Sequence, residues 1–353
     1  MNKKVISFIA VALILIGVPN LQADKPYRIG TTAANFLEIG YGSAGIAMGD
    51  AYVGVADDLS SVYWNPAGLA FMDQKEVLFM LQPWMVDVNT SFTAVGFPIS
   101  GVGTVALSII QMGYGEMEVT TMNQQEGTGE LFGANEFAAT VNYSRAIADW
   151  FGFGMGAKFV SSQIWHVKGS AVAFDLGVLV KTGFFSKTGN LDNGLKIGMS
   201  ISNYGTKLRY DGMDLLNPID ILPDEHGNYK DVPGQFKINS WELPLIFRVG
   251  VSYKPFVTEH QSLTVAVDAL HPNNNSESIN VGMEYGLKIP ASGKLFLRGG
   301  YKALFMDSSE YGPTFGGGIL LYLFKNTNIQ LDYAFRDLGI LGSANSFSMR
   351  FGF

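Results

Sequence analysis

The sequence lacks cysteine and carries few charges for its length. With no cysteine among 353 residues, disulfide bonds and thiolate chemistry are excluded. Only 16% of the residues are charged, and the formal net charge of −7 argues against nucleic acid as a partner. After residue 23, no apolar run reaches the roughly 20 residues that a transmembrane helix needs. The longest such run, at 318–324, has the length of a strand.

Histidine is also scarce, with four in the chain. A hydrolase needs a nucleophile beside a base, and His166 near Ser161 and Ser162 is the nearest approach to such a pair. Single histidines at the ends of links are more often solvated than catalytic. No histidine or acidic pair has the spacing of metal ligands on a rigid element. We therefore expect no catalytic residue, no metal and no cofactor.

Apolar residues and glycine are abundant instead, at 47% of the chain and 42 positions respectively. Segments of about ten residues alternate between apolar and polar, which is typical of transmembrane β-strands. From Ile279 to Gly286, for example, every odd position is apolar and every even position is Asn, Gly or Glu. The second face carries glycine, serine and single charges, as expected for a polar lumen. A soluble sandwich would expose Lys, Glu and Thr there.

Counting these segments predicts an all-β transmembrane fold, a 14-stranded antiparallel outer-membrane β-barrel, because single-chain outer-membrane barrels use even strand numbers. The predicted strands begin near Val77, Asn89, Gly103, Glu136, Phe151, Ser170, Leu195, Trp241, Leu263, Ile279, Leu295, Thr314, Thr327 and Ala344. With both chain ends periplasmic, the two longest links, Glu116–Asn135 and Arg209–Ser240, fall on the external side. Gly316 to Gly318 predict a bulge or kink in their strand.

The first 23 residues have the pattern of a signal peptide. A basic start at 2–4 precedes an apolar stretch at 5–18 and a small residue, Ala23. We expect export and cleavage after Ala23. The expected domains are a signal peptide at 1–23, an N-terminal leader and luminal plug at 24–73, and a transmembrane barrel at 74–353.

The stretch from Gly42 to Ala70 does not resemble a membrane strand. It is rich in Gly and Ala, which let a backbone approach its surroundings closely. Asp57 or Asp58 is expected to cap a short helix. Asn65-Pro66 is expected to form a turn, with the proline at the start of the next helix. We predict an N-terminal helical plug inside the periplasmic half of the barrel; a helical hairpin of a soluble domain is the alternative. The plug motif comprises Gly42, Met48, Gly49, Asp57, Asp58, Asn65, Pro66, Ala67, Gly68 and Leu69.

The C-terminal segment predicts which side of the barrel wall each of its residues faces. Phe347, Met349, Phe351 and Phe353 alternate with polar residues and should face lipid, whereas Arg350 should face the lumen, because a mid-membrane Arg on the lipid face costs about 2–4 kcal/mol. The same parity assigns a set of luminal charges, which we expect to pair with each other or with the plug. They are Asp175, Arg248, Asp268, Glu284, Arg298, Asp332 and Arg350.

The plug stretch resembles the N-terminal signature of the PorV/PorQ family of outer-membrane proteins, which are associated with type IX secretion. More distantly it is similar to the FadL family of fatty-acid channels, with which it shares an Asp-Asp pair followed by Asn-Pro-Ala-Gly-Leu. In this sequence those residues are Asp57, Asp58 and Asn65 to Leu69. The stretches 267–274, 282–285 and 333–339 are also similar. The resemblance implies a FadL-like barrel of 14 strands with an N-terminal hatch.

The resemblance implies two alternative functions. PorV-like members receive exported proteins at a type IX translocon and pass them to surface attachment, so the external loops would contact cargo. FadL-like members bind a long-chain fatty acid or another hydrophobic small molecule in the lumen and release it laterally. We favour the non-enzymatic secretion role, in the outer membrane of a Gram-negative-type bacterium. The expected partners are outer-membrane lipid, secreted cargo and secretion components, with a hydrophobic small molecule as the alternative.

Overall fold

A computed structural model describes residues 28–227, 231–323 and 327–353. The predicted signal peptide and its cleavage site lie outside these residues. Within the described residues, no helix has both the length and the apolar character needed to cross a bilayer.

Fourteen antiparallel strands close into a barrel, as predicted from the sequence. The strands of the described residues are β1 (Glu76–Pro83), β2 (Asn89–Ile99), β3 (Gly103–Glu118), β4 (Leu131–Ala148), β5 (Phe151–Ile164), β6 (Val167–Lys181), β7 (Lys196–Gly205), β8 (Arg209–Gly212), β9 (Leu216–Ile219), β10 (Val232–Gln235), β11 (Ile246–Val257), β12 (Gln261–Pro272), β13 (Ser278–Ile289), β14 (Gly293–Leu304), β15 (Pro313–Tyr322), β16 (Asn328–Asp337) and β17 (Ser343–Gly352). The barrel consists of β1–β7 and β11–β17, and β1 pairs with β17 from Glu76–Gly352 to Leu81–Phe347. This closing pair leaves the barrel without a free edge.

The period-2 pattern separates an apolar outer face from a buried inner face in each barrel strand. In β16, Gln330, Asp332 and Arg336 are buried, while Leu331 and Tyr333 between them are exposed. Large apolar side chains cover the outside, among them Phe79, Leu107, Ile109, Phe159, Phe174, Leu297, Phe315, Leu331, Phe347 and Met349. An apolar belt around a buried polar interior is the arrangement that lipid requires.

The glycine run in β15 does not interrupt its strand, contrary to the expected bulge or kink. Its pairing with β14 and β16 continues without a shift through Gly316 to Gly318. Register shifts occur instead at other places, such as between Tyr253 and Phe256 in β11. The ladder survives because both neighbouring strands supply backbone partners throughout, so the missing side chains remove packing atoms and no hydrogen bonds.

The links differ in length at the two ends of the barrel. One end, here named the long-loop end, carries the segments 119–130 and 206–245, and the other, the short-turn end, carries turns such as 100–102 and 290–292. Within 206–245, β8 extends the wall by pairing with β6, whereas β9 and β10 form a hairpin that pairs only with itself. The short-turn end also holds a longer turn, 182–195, with a 3₁₀ turn at Leu191–Asn193.

The N-terminal segment fills the lumen as a plug of short helices, as predicted. It contains α1 (Ser43–Ala47), α2 (Ser61–Trp64) and the 3₁₀ helices Asn35–Glu38 and Pro66–Phe71. It begins at the long-loop end, where Thr32 bridges to Glu242. It finishes at the short-turn end, where Pro66–Phe71 contacts β3 to β6.

The plug therefore spans the lumen, and the expectation that all of residues 42–70 lie in the periplasmic half was wrong for their first part. The α1 helix packs against β14 to β17 near their long-loop ends. There the hydroxyls of Thr314 and Ser346 bond to Ala47 and Ser43. These wall groups satisfy polar atoms of the plug that are buried at this depth.

Candidate functional site: the plug in the charged lumen

Small residues let the plug fold tightly on itself. Gly45 lies directly under the indole of Trp64, and a Cβ on Gly45 would come within 2.7 Å of that ring. The indole also packs edge-on against Tyr63, with 4.8 Å between ring centres, and is almost fully buried. The aromatic rings thus occupy the space that the missing side chains leave, and they form the plug's own core.

Glycines in the barrel wall let the plug backbone approach the strands. A Cβ on Gly177 would lie 2.2 Å from Asn65 Oδ1, and one on Gly154 would lie 2.4 Å from the carbonyl carbon of Pro66. At the opposite wall, a Cβ on Gly300 would lie 2.3 Å from the carbonyl carbon of Met48. From the sequence, such glycines could be assigned only to the polar, lumen-facing side of the strands. Their position in strand interiors, where glycine is unfavourable, is the signal that could have marked them as sites of close approach.

Asn65 joins two parts of the plug to the barrel wall. Its Nδ2 donates to the carbonyls of Val53 and Val178, at 3.1 and 3.0 Å, and its Oδ1 accepts from the Ala67 N–H at 3.1 Å. Pro66 follows as the first residue of a 3₁₀ helix. The Asn-Pro-Ala-Gly motif therefore has a structural role here, since it links two parts of the plug to the barrel wall.

Replacing Asn65 by Ala should destabilise the folded barrel by about 1–3 kcal/mol, because buried carbonyls lose their donor. The measurement is the free energy of unfolding, from urea titration followed by tryptophan fluorescence. Asn345→Ala is the matched control, since that amide only accepts a bond from the Tyr333 hydroxyl on the outer face. Equal losses of unfolding free energy in both variants would mean that the hydrogen bonds of Asn65 do not hold the plug to the wall.

Asp57 and Asp58 do not cap α2, which corrects the sequence expectation. The helix has no side-chain cap bond, and Asp58 accepts from the N–H of Ser60 at 3.0 Å. Both carboxylates instead meet cations of the wall: Asp57 lies 3.3 Å from Lys196, and Asp58 lies 2.8 Å from Arg350. A cation in a confined lumen attracts these carboxylates more strongly than free N–H groups do.

Two further carboxylates bind the middle of the plug to the wall. Asp268, on β12, accepts from the backbone N–H groups of Tyr52 and Val53 at 2.7 and 2.9 Å. Asp50, on the plug, pairs with Lys302 at 2.8 Å and with Arg336. Arg336 is completely buried and also donates to the carbonyl of Ile39. Sequence reasoning named Asp268 but missed the Asp50 cluster, because Asp50 lies more than 250 residues from both of its partners in the chain.

The other charges assigned to the lumen also lie on the inner face of the wall. Asp175 pairs with Lys158 at 3.0 Å. Arg298 bridges Glu284 and Asp332, at 2.7 and 2.5 Å. Arg248 donates to Ser202 and lies over the ring of Tyr63.

Family comparison identifies the chain. The model of the type IX secretion system protein PorV matches residues 21–221. The chain belongs to the PorV family. Its sequence matches no curated protein.

Solved structures with a similar fold include transporters and channels of hydrocarbons. This PorV-family chain is similar to the toluene transporter TodX of Pseudomonas putida, with 12% identity and a TM-score of 0.53, over 89% of this chain and 97% of the other. It is similar to the toluene transporter TbuX of Ralstonia pickettii, with 11% identity and a TM-score of 0.52 over the same shares. The monoaromatic hydrocarbon channel CymD gives 9% identity and a TM-score of 0.54, again over those shares. At such identities the similarity concerns the fold alone.

The histidine that came nearest to a catalytic base in the sequence is engaged elsewhere in this PorV-family barrel. His166 Nδ1 lies 2.9 Å from Asp214, and its ring stacks on Trp165. Ser162 shares a hydrogen bond of 2.8 Å with Tyr210, and Ser161 is buried. Within the described residues, no three acidic or histidine side chains are arranged to hold a metal ion.

The turn 182–195 of the PorV-family barrel also carries a charge that reaches the plug. Asp192 lies 2.7 Å from Lys181 and 3.8 Å from Lys196, which in turn holds Asp57. Partial burial alone would raise the pKa of Asp192, but its hydrogen bond with Lys181 and the charges of both lysines outweigh burial and lower that pKa. The turn therefore keeps a negative charge beside the base of the plug down to acidic pH.

Proposed function

We propose that this barrel is a non-enzymatic accessory of type IX protein secretion that engages exported cargo at the cell surface. The observation that carries the proposal is the family match over residues 21–221. A plug that runs along the lumen from the long-loop end to the short-turn end supports it, because cargo must then bind outside the barrel. The long-loop end, which would face outward, offers the larger surface for such contacts.

The hairpin of β9 and β10 is the best candidate for the contact surface. It lies in the longest link, pairs only with itself and exposes apolar side chains. These are Met213, Leu216, Ile219, Ile221, Leu222 and Phe236 in and around the hairpin. A cluster of exposed apolar groups on a protruding loop is typical of a protein-binding site. Strands β3 and β4, with 16 and 18 residues, exceed the 9–11 that span a bilayer, so they extend beyond it.

The experiment is co-purification from native membranes with a tagged barrel. We expect folded cargo with a β-sandwich C-terminal domain to be recovered with the intact chain and lost when residues 216–235 are replaced by a short turn. Replacing residues 306–310 of the link 305–312 in the same way is the control for loop shortening. Cargo that stays bound without the hairpin would contradict this contact surface.

The proposal requires the long-loop end to face outward, and the absence of cysteine allows a direct test. In Thr31→Cys, the single thiol should react with a membrane-impermeant maleimide on intact cells, because Thr31 is exposed beside the link 206–245. In Ser292→Cys, the thiol lies in a turn at the opposite end and should react only after the outer membrane is permeabilised. The reverse labelling pattern would contradict the orientation.

Uptake of a hydrophobic small molecule is the second candidate, because the fold is similar to the toluene transporters. Such a channel needs an apolar luminal pocket against the plug, whereas the luminal cavity at the short-turn end is lined mostly by charged and polar side chains. Recovery of fatty acid or hydrocarbon from the purified barrel, without cargo, would favour this candidate over secretion.

A further inference from the structure

A polar cavity lies below the plug at the short-turn end of the lumen. Its volume is about 380 Å³, and plug residues Tyr52, Val55, Asp57 and Asp58 form part of its lining. The wall contributes residues of β7, β11 to β17 and the turns 182–195 and 258–260. This volume lies within the range of small-ligand sites.

Some of the charged side chains that line the cavity have ion-pair partners, and others have none. Three of its carboxylates form ion pairs with cations that also line it: Asp57 with Lys196, Glu284 with Arg298 and Asp58 with Arg350. Arg298 and Arg350 each also pair with a second carboxylate, Asp332 and Glu76 respectively. A fourth, Asp192, pairs with Lys181 just outside. Lys254, Lys288 and Lys294 also line the cavity, and none of them has an ion pair within the described residues. Glu259 in the turn 258–260 is the remaining acid of the lining, so the charged lining groups that have no ion pair within the described residues are three lysines and one acid.

Two of these lysines face each other directly. Lys288 on β13 and Lys294 on β14 are cross-strand partners beside the turn 290–292. Like charges in opposed positions of an antiparallel pair repel each other, so this arrangement is unfavourable unless an anion lies between them.

Neutral donors complete the lining next to the lysines. Ser262 and Thr264 on β12 contribute hydroxyl groups, and Gly286 on β13 leaves the space between Ser262 and Phe296 free of a side chain. Ammonium groups and hydroxyls around an open space form the usual environment of a bound oxyanion.

We propose that this cavity binds an oxyanion, a carboxylate or phosphate group that enters from the short-turn end and is held by Lys254, Lys288 and Lys294. The lysines line the lumen side of the wall, so the group belongs to a soluble molecule or to a peptide side chain that enters the barrel. Because Asp57 and Asp58 form part of the lining, the occupied site would lie in contact with the base of the plug. The proposal is independent of the secretion role.

The test is calorimetric titration of the full-length barrel in uncharged detergent, at constant ionic strength. Pyrophosphate and tricarballylate are the probes for phosphate and for carboxylate. We expect saturable binding of at least one probe, weakened by roughly tenfold or more in the double variant Lys288→Gln/Lys294→Gln, because each lysine supplies a charged hydrogen bond. Binding of one probe alone would identify the type of oxyanion, and binding of both would indicate oxyanions in general.

The matched control is Lys75→Gln/Lys187→Gln. These two lysines are exposed at the same end of the barrel and do not line the cavity, so the change in net charge is identical. An equal loss of affinity in both double variants would mean non-specific attraction to positive charge and would overturn the proposal. Absence of saturable binding of either probe to the unmodified barrel would overturn it too.

Discussion

Deleting residues 42–70 should convert the barrel into an open pore. In planar bilayers we expect conductance to rise by at least about an order of magnitude, because the interior of a 14-stranded barrel is wider than its wall side chains alone can fill. At present that space holds Met48, Trp64 and Leu69, all almost fully buried. The deleted segment also carries Asp50, Asp57 and Asn65, so the deletion also removes their contacts with the wall.

The deletion needs a control for assembly and one for the loops. Heat-modifiable mobility on a gel shows whether the shortened chain still forms a barrel. A second variant, in which residues 119–130 are replaced by a short turn, should assemble and keep the low conductance of the unmodified barrel. An assembled plug deletion with unchanged, near-zero conductance would mean that the long loops close the lumen.

Replacing Asp50 by Asn should destabilise the folded barrel by about 3–5 kcal/mol, the usual cost of removing one partner from a buried ion pair. Arg336 and Lys302 would both lose their carboxylate, and the guanidinium of Arg336 has no exposure to water through which to recover its hydration. Asn is the suitable substitute because Asp50 has a φ of 64°, which Asn adopts more readily than Ala. The measurement is the free energy of unfolding in urea.

Asp192→Asn is the control for the loss of a carboxylate at a more exposed site. Asp192 also pairs with lysines, but about half of its side chain is exposed, so its loss should cost no more than about 1 kcal/mol. If Asp50→Asn costs no more than Asp192→Asn, the buried cluster does not hold the plug in the lumen.

Local periodicity predicted the wall of this barrel well. The alternation of apolar and polar residues gave 14 strands, and most of the predicted starts lie within three residues of the observed ones. The larger errors are at β4 and β11, where Glu136 and Trp241 were expected and Leu131 and Ile246 are found. Both strands follow long links, where the membrane no longer imposes the alternation. The alternation therefore starts after the strand does in β4 and before the strand does in β11.

The contacts between the plug and the wall were largely beyond prediction from one sequence. Asn65 and Pro66 could be interpreted as a turn, since their chemistry is local. The bond from Asn65 to the carbonyl of Val178 joins residues 113 positions apart, and the pair of Asp50 with Arg336 joins residues 286 apart. No repeating pattern marks such pairs, because each depends on where the plug lies against the closed wall. The same applies to Gly177 and Gly300, whose role is visible only once the plug backbone is seen against them.

The path of the N-terminal segment sets the order in which the protein assembles. Residues 28–42 lie at the long-loop end, whereas β1 begins at the short-turn end, so the segment between them runs the length of the lumen. The seam between β1 and β17 joins residues 266–276 positions apart, so it needs the whole chain to be available. A plug that docked after this seam closed would have to thread its N-terminal part through the closed barrel. Docking before closure needs no threading. We therefore expect the strands of the wall to assemble around a plug that is already in place, with the plug as the template.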